Sequence, residues 1–171
     1  MEFDNNTIER FIQSPLGFLR ATAGPAGITS LAFIEESSSN PLTNIASNPH
    51  LELLITELEE YFAGTRKIFT VPLAPTGTPF QKLVWQKLLE IPFGETRTYH
   101  QQSQQLGNTL AIRAVAAANG RNPIAILIPC HRVIGTNGNL TGYAGGLHRK
   151  KWLLDHERKH SGHAVQGSLF D

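Results

Sequence analysis

The sequence predicts an α/β N-terminal domain followed by a mainly α C-terminal domain that carries a helix-turn-helix. Three observations predict it. Two β-type segments flank Gly24-Pro25-Ala26-Gly27 and are followed by an amphipathic helical pattern from Pro49. Two short helical segments flank Gly107-Asn108, the layout of a helix-turn-helix. Between these halves lies Ala74-Pro75-Thr76-Gly77, where the charge changes sign: residues 1–76 hold 4 Lys/Arg and 9 Asp/Glu, whereas residues 77–160 hold 11 and 4. Domains are therefore expected at 1–76 and 77–160, with 161–171 as a flexible tail.

Each element has a local reason. Leu16 to Ala23 and Ile28 to Glu35 read as the strands of a hairpin. Asn48 caps the next helix with Pro49 in its first position; Leu51, Leu54, Ile55, Leu58 and Phe62 share one face, and the helix stops before Gly64. Ile68 to Leu73 reads as a further strand. In the second domain Thr78 caps a helix, Pro79 suits its first turn and Gln81 completes a capping box, with Leu83, Val84, Leu88 and Leu89 beyond. Thr98 and Gln101 repeat that spacing and open a short helix ended by Gly107; Asn108 then caps a third, which runs toward Asn119-Gly120. Ile124 to Ile128 is a continuous apolar run closed by Pro129, which predicts a buried strand ending at Cys130.

Composition narrows the setting. At 171 residues and 40% hydrophobic, the chain can hold one good core or two small ones. Met1 to Arg10 is polar and no apolar run reaches the length of a bilayer span, so a cytoplasmic, reducing environment is expected. Cys130 is the only cysteine, which excludes an internal disulfide. It is followed directly by His131 and Arg132, and cationic neighbours favour the thiolate, the nucleophilic form. The basic second half points to a polyanion. Its second helix sets Arg113 among Ala111, Ala114, Ala116, Ala117 and Ala118; such a face can approach a groove closely while one guanidinium projects. Binding through phosphate contacts and duplex deformation, with little sequence preference, is the expected result.

Pro129-Cys130-His131-Arg132-Val133 closely resembles the active-site signature of the O6-alkylguanine-DNA alkyltransferases, the methylated-DNA-protein-cysteine methyltransferases. The resemblance extends in order and spacing through Gly94-Glu95-Thr96-Arg97-Thr98-Tyr99, Ala111 to Val115, Gly120 to Pro123, Tyr143 to Leu147 and Lys151 to Glu157. It implies an N-terminal domain of ribonuclease H-like character. It also implies a suicide repair reaction in which the alkyl group of O6-alkylguanine in duplex DNA, with O4-alkylthymine as an open second substrate, passes irreversibly to Cys130 after base flipping. By the same resemblance Cys130 attacks, His131 takes the thiol proton through a water, Glu157 orients the imidazole, Tyr99 rotates the phosphate and donates to guanine N3, and Asn122 braces the active-site turn. Arg113 fills the gap left by the flipped nucleotide, with Tyr99, Ala111, Ala114 and Arg121 also on DNA; Tyr143, Ala144, Val133 and Gly145 bound the pocket.

Physical chemistry adds conditions. Lowering a thiol pKa by about 2 units from roughly 8.5 raises the thiolate fraction about 25-fold, of which a Brønsted coefficient near 0.45 takes back about 8-fold. Alignment and donors to the departing guanine must supply the rest. Neighbouring residues on a strand face opposite ways, so His131 reaches Cys130 only if the turn after Pro129 breaks the pleat or a water bridges them. The product is a thioether, so each molecule acts once. No cofactor is implied, and one cysteine cannot build the thiolate zinc site that some family members carry. His156 and His160 read as solvated histidines at a helix end.

Two other function classes compare with this one: a lesion-binding relative, which lacks the cysteine, and a cysteine hydrolase, which would turn over many times. A monomer is expected. The tail ends Gln166-Gly167-Ser168-Leu169-Phe170-Asp171 and resembles the short peptides by which bacterial repair proteins hold the sliding clamp, through Gln166, Leu169 and Phe170. The alternative is that Leu169 and Phe170 pack back onto their own domain.

Overall fold

Gly24 and Gly27 face each other across a hairpin in which strand β2 (Gly17–Gly24) pairs antiparallel with β3 (Gly27–Phe33). The computed structural model describes residues 6–35 and 46–162, and in it a further strand, β1 (Ile8–Ser14), pairs with the other edge of β2. The chain divides into two compact units, Met1–Thr76 with Pro123–Ala125, and Gly77–Asn122 with Ile126–Asp171.

In the first unit, helix α1 (Pro49–Phe62) packs on the antiparallel sheet β1-β2-β3. Asn48 caps it by accepting from the backbone of His50 and Leu51 at 2.9 and 3.2 Å. Leu51, Leu54, Leu58 and Tyr61 meet Leu19, Ala21, Ile28 and Leu31 in the core. Ile55 and Phe62 lie only half-buried, and Glu57 is buried in their stead. Its carboxylate accepts from the Thr70 amide at 2.8 Å and from the Thr70 hydroxyl. That arrangement corrects the expected strand at 68–73. The segment is held by Glu57 and by Arg66, 3.9 Å from it, leaving Ile68 exposed; only Leu73 bridges to Ile28.

Gly27 has a positive φ of 149°, and a Cβ there would lie 2.4 Å from the Pro72 carbonyl oxygen, whose partner is the Ile28 amide. Backbone cannot rotate away as a side chain can. Gly27→Ala will therefore cost this unit about 2–4 kcal/mol from backbone strain and overpacking, read as a fall in the urea midpoint without a change in slope.

In the second unit Thr78 and Gln81 form a capping box at the start of α2 (Pro79–Leu89), and Thr98 and Gln101 another at the start of α3 (Tyr99–Gln105). Asn108 caps a 3-10 turn, Thr109–Ala111, that leads into α4 (Ile112–Gly120). The C-terminal end of α4 is anchored twice. Trp85 Nε1 donates to the Ala118 carbonyl at 2.9 Å, and the buried amides of Gln102 and Asn119 donate to each other, both at 2.8 Å. Val115, Ala118 and Asn119 face the core, whereas Arg113, Ala114 and Ala117 face water.

Two short strands matter more than their length suggests. β4 (Arg97–Thr98) pairs parallel with β5 (Val133–Ile134), so the 3-10 turn that leads into β5, Cys130–Arg132, and Tyr99, which follows β4, lie at the two ends of a pair only two residues long. Helix α5 (Leu147–His160) closes the unit. The strand expected from Ile124 to Ile128 does not form. Ile124 alone bridges to Leu31, and Ile126 then takes a left-handed φ of 71°. For a β-branched residue this is costly, and full burial of Ile124, Ile126 and Ile128 offsets it. The run is apolar because it is buried as a turn. Among the described residues no helix is long and apolar enough to cross a membrane.

Candidate active site

Cys130 sits on the 3-10 turn that follows Pro129. The turn breaks the pleat, so the alternation of a strand no longer separates Cys130 from His131. Asn122, just beyond α4, reaches across this loop: its Nδ2 donates to Cys130 Sγ at 3.2 Å and to the Ile128 carbonyl at 2.7 Å. One amide thereby fixes both the thiol and the bend that presents it.

Behind the thiol lies a buried charge network. His131 Nε2 meets Glu157 Oε1 at 2.7 Å, with both side chains out of solvent. Arg132 holds the same carboxylate with two hydrogen bonds, Nε to Oε2 at 2.8 Å and Nη2 to Oε1 at 2.9 Å, and donates Nη1 to the Ile91 carbonyl at 2.6 Å. Burial alone would raise the Glu157 carboxyl, but the hydrogen bond from His131 together with the hydrogen bonds and charge of Arg132 outweigh that and hold it well below the usual carboxylate range. Burial lowers the His131 imidazole despite the pull of Glu157, so the ring is neutral. A carboxylate only accepts, so Nε2 carries the ring proton and Nδ1, buried without a partner among the described residues, is the free base.

Burial also pushes the Cys130 thiol up, against the Asn122 bond and the charge of Lys150, which lower it. This corrects the expectation that flanking cations favour the resting thiolate: the Arg132 guanidinium is spent on Glu157, and His131 is uncharged. The cation that does act on the sulfur is Lys150, which no sequence motif singled out. Its side chain has no exposed surface, and burial brings its ammonium down to about 8. A signal was present. Lys150, Leu153, Leu154 and Glu157 are spaced along one face of α5, and all are buried.

The Thr141 carbonyl accepts from both Lys150 Nζ, at 3.0 Å, and the Tyr99 hydroxyl, at 3.1 Å; Lys150 also stands 5.8 Å from the Tyr99 ring centre. Tyr143 is half-buried with its hydroxyl buried and without a hydrogen-bond partner among the described residues, and burial pushes that hydroxyl well above its usual range. Gly145 is half-buried and Ala144 exposed beside it. Val133 is wholly buried.

Arg113, Ala114 and Arg121 are exposed on or just after α4 and Ala111 is half-buried; neither arginine's guanidinium has a hydrogen bond or ion pair among the described residues. They form a surface separate from the buried network. His156 is not solvated as expected: it is buried and stacks on Trp152 with ring centres 4.7 Å apart. Gln166, Leu169 and Phe170 lie outside the described residues.

Two family models match this chain, 6-O-methylguanine DNA methyltransferase, ribonuclease-like domain, over residues 7–75 and the DNA binding domain of the same family over residues 79–159. Among curated relatives, a methylated-DNA-protein-cysteine methyltransferase of Mycolicibacterium paratuberculosis is 43% identical over 95% of this chain and 98% of its own. Another, from Methanosarcina mazei, is 46% identical over 84% and 92%. Among solved structures, the O6-methylguanine methyltransferase of Mycobacterium tuberculosis superposes with a TM-score of 0.79 at 41% identity, covering 90% of this chain and 94% of that one. A crystal structure of that organism's OGT in complex with DNA also superposes at 0.79, with 44% identity over 89% and 93%.

Proposed function

The chain belongs to the 6-O-methylguanine DNA methyltransferase family, and from that premise we propose that it repairs duplex DNA by moving an alkyl group from guanine O6 onto Cys130 Sγ. The observation that carries this reading is a single thiol, gripped by the Asn122 amide and backed by a buried imidazole–carboxylate pair, in the same unit as a helix-turn-helix. Such a site can hold a thiolate only when the reaction calls for it. The thiol proton passes across a bridging water to His131 Nδ1, and the imidazolium is offset by Glu157. Sγ then attacks the alkyl carbon: the S–C bond forms as the C–O6 bond breaks. The electron pair stays with guanine, which Tyr99 stabilises by leaving Thr141 and donating to N3. Lys150 supports the developing thiolate by its charge and keeps the Thr141 carbonyl occupied.

Stoichiometry and pH test it together. In single-turnover assays with an O6-methylguanine duplex, transfer will stop at one methyl per protein, whereas a hydrolase would continue. The rate will be flat near neutrality and fall only below the ordinary histidine value of about 6.5, because burial pushes His131 down from it and the ring stays an unprotonated base above it. A fall already centred above pH 7 would remove His131 from the role.

We infer further that the protein works as a cytoplasmic monomer, and that the tail, through Gln166, Leu169 and Phe170, holds the sliding clamp. A labelled peptide of residues 161–171 will bind the clamp of the same cell saturably; a linear, unsaturable response would end that assignment.

A further inference from the structure

The surface of α4 is uneven. Ala114 and Ala117 keep most of it low, yet at its N-terminal end Leu110 is 95% exposed and Ile112 is 36% exposed, one on each side of Ala111 and both next to the turn that carries Arg113. Leu110 is presented from an ordered turn, since Asn108 Oδ1 accepts from its amide at 3.0 Å. The far end of the helix is fixed by Trp85 and by the Gln102–Asn119 pair, so a force on the exposed end is resisted by the unit's core.

An apolar pair in such a place needs an occupant that the unit's charge can attract. The excess of 11 Lys/Arg over 4 Asp/Glu in residues 77–160 favours a nucleic acid, and the unpaired Arg113 between the two apolar groups and the alanine face favours it again. Leucine and isoleucine cannot hydrogen-bond a base edge. Against a duplex they gain only by packing on sugars or by replacing a stacked neighbour, and proteins that kink DNA insert such residues between base steps. We propose that Leu110 and Ile112 form an apolar wedge that enters the duplex beside Arg113 and unstacks the base step next to the lesion. The proposal rests on alkylated duplex DNA being the substrate.

The geometry sets the scale. A 3-10 turn rises about 2 Å per residue, so Leu110 stands about 5 Å along the helix from Arg113, one to two base steps of about 3.4 Å away. Two inserted groups at that spacing act on neighbouring steps. Extrusion then depends on the flanking sequence, fastest where a flexible pyrimidine–purine step adjoins the modified guanine.

The test compares wild type, Leu110→Ala, the double variant Leu110→Ala/Ile112→Ala and the conservative Leu110→Met. Each is mixed with an O6-methylguanine duplex carrying 2-aminopurine beside the lesion, and with the same strand holding the lesion in a three-base bubble. On the duplex the double variant will be slower by about tenfold and lose the 2-aminopurine brightening, while Leu110→Met keeps both. On the bubble, where nothing remains to unstack, all four will react alike and reach one methyl per molecule. Equal rates on the duplex, or equal slowing on duplex and bubble, would overturn the wedge. Failure of the wild type on both substrates would instead overturn the functional reading, and the wedge with it.

Discussion

Incubation with a duplex containing one O6-methylguanine will add the mass of one methylene to the protein, on the peptide that contains Cys130, and Cys130→Ser will gain nothing. The expected loss is complete because the site makes no provision for a hydroxyl. The half-buried Cys130 relies on one amide donor and on a lysine whose own charge is weakened by burial. A thiol can still ionise there at the moment of attack; a serine hydroxyl is a far weaker nucleophile and would need an adjacent base of much greater strength. The product also explains why the count stops at one. A thioether carbon is not an acyl carbon, and no second thiol exists in the chain to displace the methyl. Methyl found on another side chain, or full activity in Cys130→Ser, would overturn the assignment. Tight lesion binding with no mass gain would make the chain a damage-binding protein.

Glu157→Ala will produce the largest loss of stability. The carboxylate accepts from His131 and twice from Arg132, with a longer 3.4 Å contact from the Gly94 amide. Its removal leaves a buried guanidinium without a counter-charge, which costs about 3–5 kcal/mol. Whole domains are stable by only about 5–15 kcal/mol, so the melting temperature will fall by more than about 10 °C. Replacing both partners, as in Glu157→Leu/Arg132→Met, will recover much of the loss, because the uncompensated charge goes too. If the double variant is as unstable as the single one, the damage lies in packing and not in the charge.

Acid sensitivity follows from the same network. The folded His131 resists protonation, so the unfolded chain binds that proton first and stability falls as pH drops below about 6.5. Glu157 is held ionised in the fold, so its contribution is full above about 4.3 and is lost as pH falls further. Acid melts will therefore show two successive declines, and Glu157→Ala will lack the lower one.

Local chemistry made much of this fold legible. Asn48, Thr78 and Thr98 cap helices where their side chains and spacing imply, and Gly24 and Gly27 close the hairpin. What sequence patterns hid was decided by burial. Thr70 was claimed by the Glu57 carboxylate, which removed the strand expected around it. Ile124 to Ile128 has the composition of a strand but the conformation of a turn, because an apolar run reports only that it is buried. β1 escaped notice since IERFIQS does not alternate and only Ile12 is buried. In the site, Cys130, His131 and Glu157 were legible from their motifs, whereas the direction in which Arg132 points and the charge borne by Lys150 depend on contacts across 25 and 9 residues of chain.

The reciprocal amides of Gln102 and Asn119 bear on how this sequence can drift. Among the described residues each side-chain amide is the other's partner for both its donor and its acceptor, so a change at one position strands two polar groups of the other in the core. A change at both, to a matched apolar pair, strands none. The two positions, 17 residues apart in the chain, are thus a single unit of inheritance: routes through sequence space that alter one alone pass through a weakened protein, and lineages that alter either will be found to have altered both.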